Sequence, residues 1–409
     1  MFDQFPKFDM DMKPKRPKLR LLSYFIALPE VKSHKPKISK VNMRGIKPPY
    51  ILLGNHNAFM DIKMLSYITF PHLLNYVIAI DGFLGRENFL RHIGGICKRK
   101  FTTDFKLIKH IEEVIQNKHV LAMFPEARYS LCGTTAIIPK SLARLCKHLD
   151  VPVVTLMMKG HHINSPFWNL RNRKIKGIEA ELKCLITKDE LHELSINEID
   201  ERIQNEFIYD EYAWQLKNKI PVTYEGRAEG LHKVLYKCPH CGKEYFMSSS
   251  GHTLKCDACG KTWDYSIYGE LHANEGDTEF SHIPDWYEWE RKEVKKEVEA
   301  GTYYFETPVH VDLLPKDKFI PIGKGTLIHN LDGFLLKGNF EGKDYEVKLP
   351  SNSTYGVHIE YEYLGKYGDC VDLNTIDNTY YVYPECERFS VTKISLATEE
   401  IYKLKMNKE

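Results

Sequence analysis

Short apolar runs alternate with amphipathic stretches from about residue 48 onward. Tyr50-Ile51-Leu52-Leu53 reads as a buried strand ended by Gly54, and Tyr76 to Ile80 as a second, ended by Asp81-Gly82. His119 to Phe124 is a third, stopped by Pro125, and Val151 to Met157 a fourth. Between them Phe105, Ile108, Ile111 and Ile115 recur at helical spacing, with Asp104 placed to cap that helix. Pro139 can open another helix that buries Leu142, Leu145, Cys146 and Leu149. The alternation predicts an α/β domain, a sheet with flanking helices, over residues 35–215.

The pattern then changes. After a linker at 216–234, residues 235–265 hold few apolar positions and many turn formers, too few to fold by burial alone. A helical linker follows at 266–299, carrying Trp286 and Trp289. From 300 to 409 the chain is rich in Tyr, Val, Ile and Thr punctuated by Gly, Asn and Asp. Leu327 to Leu336 reads as two strands around Asn330-Leu331-Asp332-Gly333, and Tyr380 to Tyr383 as another. Ser395 to Leu404 reads as a closing helix. This is a small β-rich module.

Composition narrows the class. The chain has 409 residues, 43% hydrophobic and 27% charged, which excludes a disordered or collagen-like protein. A net charge of +2 excludes a general polycation. No run of 18 apolar residues occurs, so a membrane span is not expected, and the charged, Pro-rich start does not read as an export signal. Charge is uneven, however: residues 1–50 carry 12 Lys and Arg against 4 Asp and Glu. Within residues 1–34, a basic amphipathic arm, Leu19 to Leu28 is apolar enough to dock. It is either a terminal helix on the protein's own core or an interfacial foot on an anionic membrane.

The most informative stretch is Asn55-His56-Asn57-Ala58-Phe59-Met60-Asp61, directly after a strand, where open α/β sheets place their sites. On one regular helix His56 and Asp61 would lie about 140° apart. They meet only if His56 sits in the turn before a helix that carries Asp61. Such a pair makes an oriented base, the carboxylate holding one ring nitrogen while the other faces a hydroxyl.

Four blocks in order resemble the glycerolipid acyltransferases, the lysophosphatidic-acid acyltransferase family. They are Asn55 to Asp61, Gly94-Gly95-Ile96-Cys97-Lys98-Arg99-Lys100, Phe124-Pro125-Glu126-Ala127-Arg128-Tyr129-Ser130 and Val151-Pro152-Val153-Val154. The resemblance covers about half the chain. It implies acyl transfer from a thioester, acyl-CoA or acyl-carrier protein, to the hydroxyl of a lysophospholipid, above all lysophosphatidic acid. His56 is then the general base and Asp61 orients it, as the acid does in a serine hydrolase triad. The implied acceptor contacts are Asn55, Glu126 and a phosphate clamp of Arg128 with Arg99 or Lys100, Arg suiting that role through its rigid donor fork. Asn55 also reads as a strand-end residue, and Glu126 as a buried acid paired with Arg128. Two departures stand out. Ala127 replaces the family's Gly, and the Arg falls one place early, with Tyr129 in its usual position. They keep open a glycerol-3-phosphate or other amphiphile acceptor.

Cys238, Cys241, Cys256 and Cys259 form Cys-x2-Cys, fourteen residues, Cys-x2-Cys. Four thiolates complete a closed tetrahedron, which marks structural zinc, with iron the rival metal. Nearby His240 and His252 are not needed as ligands. Lys237, Lys243, Lys255 and Lys261 interleave with Tyr245, Phe246 and Trp263, a pattern that can bind strands of nucleic acid. A ribbon must also cover its own core with aromatics, so a structural or acceptor-recognition module is the preferred reading, and nucleic acid is not an expected partner. The rival outside enzymes is a zinc-ribbon nucleic-acid or protein-binding protein. The C-terminal module loosely resembles pleckstrin- or GRAM-like lipid-side domains. Together these features place the expected protein in the cytoplasm, peripheral on the inner face of the cytoplasmic membrane, with a membrane lipid surface as partner.

Overall fold

The computed structural model describes residues 2–363 and 367–406. The chain divides into two compact units: a first of residues 9–98 and 104–223, and a second of residues 1–8, 99–103 and 224–409.

The first unit has strands β1 (Lys37–Val41), β2 (Tyr50–Gly54), β3 (Leu74–Ala79), β4 (Gly95–Lys98), β5 (Val120–Met123), β6 (Val153–Lys159) and β7 (Glu179–Ile186). Its helices are α1 (Arg20–Ser33), α2 (Met60–Ile68), α3 (Glu87–His92), α4 (Phe105–Gln116), α5 (Ser141–Leu149), α6 (His161–Asn164), α7 (Lys188–Glu193), α8 (Ile196–Glu206) and α9 (Glu211–Asn218). The sheet order is β1-β7-β6-β2-β5-β3-β4. All neighbours are parallel except the β6–β7 pair. Parallel strands covered on both faces read as continuous apolar runs, and β2 is buried at every position. Asp104 caps α4, accepting from the backbone N–H of Lys106 and Leu107. Leu107, Ile111 and Val114 of that helix join Leu142, Cys146 and Leu149 of α5 in one core over the sheet. Of the residues that recur at helical spacing, Ile115 is partly buried against that core and Phe105 is exposed.

The arm at 1–34 is not a separate element. Its helix α1 packs on α2, because Arg20 is buried and spends its guanidinium there. Arg20 donates from Nε to His72 O, from Nη1 to Ser66 Oγ and from Nη2 to Ser66 O and Thr69 Oγ1. The outward side of α1 still presents Leu21, Leu22, Phe25 and Ile26, all exposed.

The second unit contains α10 (Leu231–Val234), α11 (Ile283–Glu299) and α12 (Val391–Met406) with two antiparallel sheets. The smaller is β8 (Met247–Ser250), β9 (Thr253–Cys256), β10 (Thr262–Tyr265) and β11 (Leu271–Ala273), in order β11-β10-β9-β8. The larger joins β12 (Phe305–Leu314), β13 (Ile320–Asn330), β14 (Gly333–Phe340), β15 (Lys343–Pro350), β16 (His358–Glu360), β17 (Cys370–Asn374) and β18 (Thr379–Pro384). Its order is β15-β14-β13-β12-β18-β17-β16. Helix α11 is no linker. Trp286 is fully buried against Trp263 of the small sheet, with ring centroids 5.0 Å apart, and its Nε1 donates to Lys237 O. Small sheet, α11 and β-rich module therefore form one body rather than three segments in series. Nothing in this strand order by itself identifies the module as pleckstrin- or GRAM-like.

Candidate active site

The site forms where β2 and β6 end. Past β2 the chain turns through Asn55, His56 and Asn57 into α2, whose first turn carries Asp61. Asp61 is fully buried. Its Oδ2 accepts from His56 Nδ1 at 2.9 Å and from the backbone N–H of Asn57 and Ala58 at 2.6 and 2.9 Å. The turn is thus folded around one carboxylate oxygen, which fixes the imidazole relative to the helix. Burial pushes the Asp61 carboxyl up, but hydrogen bonds from His161 and His56 outweigh it and hold the group down at about 2. It stays ionised at neutral pH.

The His56 ring is sandwiched. Phe124 stacks on it at 3.9 Å and 9°, and Tyr129 lies at 4.2 Å and 43°. The side chain keeps 15% exposure. With Nδ1 committed to Asp61, Nε2 is the atom left for chemistry. Tyr129, standing where the family places Arg, is thus a wall of the His56 slot.

The other sequence candidates sit as follows. Asn55 is fully buried and pairs with Met158 on β6, donating from Nδ2 to the carbonyl and accepting the N–H at Oδ1, both at 2.8 Å. It staples two strand ends. Glu126 is also buried. Its Oε1 accepts from His56 N at 3.1 Å and its Oε2 from Ala136 N at 2.8 Å. Burial drives this carboxyl up to about 8 against the opposing pull of those amides and of Arg128. Glu126 therefore braces the His56 turn, and Arg128, itself buried, acts on it electrostatically. Arg99 and Lys100 belong to the second unit. The Arg99 guanidinium is used there, donating from Nη1 to Leu314 O and Thr379 Oγ1 and from Nη2 to Pro315 O. Arg99 is a structural anchor of that unit; its donor fork is already engaged with these oxygens.

Sequence reasoning missed His161. It opens α6 just past β6, as His56 follows β2, and donates from Nδ1 to Asp61 Oδ1 at 2.6 Å. Gly160, at φ +91°, makes the turn that L side chains rarely allow. Buried Glu211 grips the same turn, accepting from Gly160 N at 2.7 Å and His162 N at 3.0 Å, and burial raises its carboxyl to about 7. The available signal was positional: a polar residue at the end of the fourth predicted strand.

In the second unit the four predicted cysteines converge. All four sulfurs lie within 4.8 Å of one another, with Cys238–Cys259 and Cys241–Cys256 at 3.8 Å. A tetrahedron with Zn–S bonds of about 2.3 Å has S–S edges of about 3.8 Å, so the donor set fits zinc. Each knuckle closes identically: Gly242 N donates to Cys238 O and Gly260 N to Cys256 O, both glycines at positive φ. His240 bonds Glu279 instead. Several of the basic and aromatic residues around the ribbon have partners within the second unit, while Lys243 is exposed. Lys237 pairs with Glu244 and Glu293, Lys255 with Asp257 and Lys261 with Glu279, while Trp263 is buried.

Residues 30–159 match the acyltransferase family model. A 1-acyl-sn-glycerol-3-phosphate acyltransferase of Saccharomyces cerevisiae is 28% identical over 174 residues, 40% of this chain. The chain spans about half, 55%, of that relative's length. The crystal structure of the 1-acyl-sn-glycerophosphate (LPA) acyltransferase PlsC from Thermotoga maritima aligns with a TM-score of 0.38 at 13% identity. That alignment covers 46% of this chain and 76% of that one.

Proposed function

We propose that this chain, which carries an acyltransferase-family domain over residues 30–159, transfers a fatty acyl group from a thioester to the hydroxyl of a lysophospholipid of the 1-acylglycerol-3-phosphate type. The observation that carries the reading is the His56–Asp61 pair at the end of β2, with Nδ1 bound to an ionised, buried carboxylate. The acceptor hydroxyl gives its proton to His56 Nε2 as its oxygen attacks the thioester carbonyl carbon. The tetrahedral intermediate collapses with cleavage of the C–S bond. The leaving thiolate takes the proton back from the imidazolium, whose charge Asp61 offsets. No nucleophilic Ser or Cys is required, because the acceptor oxygen is the nucleophile.

Arg128 is the candidate contact for an anionic headgroup in the first unit. With Tyr129 against His56 and Arg99 engaged elsewhere, an acceptor with less phosphate dependence, such as another amphiphilic alcohol, is the second reading. Zinc is the structural ion of the four-cysteine site. The exposed apolar side of α1 supports peripheral attachment to the inner face of the cytoplasmic membrane, and no described helix is long and apolar enough to cross a membrane. Seven antiparallel strands and a final helix are compatible with a lipid-side role for the C-terminal module.

The test is an acceptor screen with acyl-CoA and acyl-carrier-protein donors, followed to the isolated lipid. His56→Ala should lower turnover roughly 10²–10⁴-fold with the fold intact. Turnover within about tenfold of wild type would reject His56 as the base. Phosphorylated and dephosphorylated acceptors, compared in wild type and Arg128→Ala, separate the two acceptor readings.

A further inference from the structure

We propose that His161 is a positioning residue for His56, a second imidazole that acts through the carboxylate they share. The inference rests on the reading of His56 as general base.

Asp61 Oδ2 takes three donors, whereas His161 Nδ1 is the one hydrogen bond at Oδ1 among the described residues. Both His161 and Asp61 are fully buried, so water does not substitute for the contact. A ring nitrogen 2.6 Å from an ionised carboxylate is an N–H donor. His161 Nε2 is buried with no hydrogen-bond partner among the described residues. The polar function of this side chain is therefore spent on Asp61. The turn that delivers it is held by Gly160 at positive φ and by the Glu211 carboxyl, which accepts from the amides on either side of His161, those of Gly160 and His162.

Two consequences follow from charge. Asp61 pinned at both oxygens cannot swing, so the His56 ring is held in one orientation. Each donor also takes a share of the carboxylate's charge. Without His161 more of that charge falls on His56, which becomes the stronger base while losing its fixed aim. The other ionisable groups that act on Asp61 or His161 are Glu126, Glu211, Tyr209, His162 and His34.

His161→Leu removes the donor, and His161→Asn can return an amide N–H close to the Nδ1 position. With acyl-CoA and a lysophosphatidic-acid acceptor, His161→Leu should lower kcat about 10- to 100-fold with KM changed less than about twofold. The acidic limb of its kcat/KM–pH profile should move to higher pH. His161→Asn should recover most of kcat and return the limb toward wild type. Wild-type kcat and an unmoved limb in His161→Leu would overturn the proposal. So would an Asn variant no better than Leu when both melt like wild type. Proton NMR of the intact chain reads the bond without activity. Two strongly downfield imidazole N–H resonances are expected, and His56→Ala should remove one of them. A single resonance, lost in His56→Ala, would overturn the array even if the general-base reading stands. Retained activity in His56→Ala would remove that reading, while the surviving resonance would still report the His161–Asp61 bond.

Discussion

At the scale of residues, the departures from the family blocks acquire physical meaning. Ala127 sits at φ +56°, left-handed, where the family carries Gly. That conformation costs an L residue about 1–2 kcal/mol, of which Gly's greater freedom when unfolded returns about 0.5–1. Ala127→Gly should therefore stabilise the fold by up to about 1 kcal/mol, read as a higher urea midpoint at unchanged slope. A lower midpoint would mean that the Ala127 methyl is packed to advantage. The His56–Asp61 pair was legible because both partners lie in one short block and the geometry of a strand-to-helix turn brings them together. His161 was not, since its partner is 100 positions away and only the neighbouring ends of β2 and β6 bring them together. For Glu126 and Asn55 the sequence left two readings open, an acceptor contact or a structural brace. The motif marked them as important, yet their polar atoms brace backbone amides and a neighbouring strand end. Sequence cannot distinguish a polar side chain that faces a ligand from one that faces its own main chain.

Among the elements, α1 is the instructive case. The apolar run at 19–28 allowed two readings, a packed terminal helix or a membrane foot, and the helix accommodates both. Arg20, Ala27 and Val31 face inward, while Leu21, Leu22, Phe25 and Ile26 face out. Periodicity could not reveal this, because the anchoring position is an Arg. Replacing Leu22, Phe25 and Ile26 together by Ser should leave the melting temperature near wild type. It should weaken binding to anionic vesicles about tenfold or more, since three buried apolar side chains are lost to the interface. Cosedimentation at low and high salt is the measurement. Equal binding by both proteins would shift the docking surface away from α1.

For the molecule as a whole, cysteine spacing located the four-cysteine cluster but not its reach. The ribbon was expected to be a module between linkers, whereas Trp286 of α11 packs on its Trp263 and Lys393 of α12 pairs with Glu244 and Glu297. We expect one zinc per chain by metal analysis. Chelation should raise hydrogen exchange over 235–265 and also along α11, because the tryptophan pair loses its support. Loosening confined to 235–265 would show that α11 is held by the β-rich module alone. Absence of metal from protein purified without chelator would remove the site.

The chain's excursion at residues 99–103 bears on how the protein is made. Residues 2–8 and 99–103 leave the ribosome early, yet they belong to the unit whose bulk begins at 224. Arg99 must wait 215 residues for the carbonyl of Leu314. At about 5–20 residues per second that is roughly 10–40 s of synthesis. Through that interval the Arg99 guanidinium lacks Leu314, Pro315 and Thr379, and Phe2 lacks the rings of Phe340, Tyr345 and Tyr380 that it meets in the finished protein. A gene cut after residue 223 would leave that condition permanent. Residues 1–223 expressed by themselves would keep Arg99 without those three acceptors and Phe2 without those rings, and lower solubility than the full chain is the expected outcome.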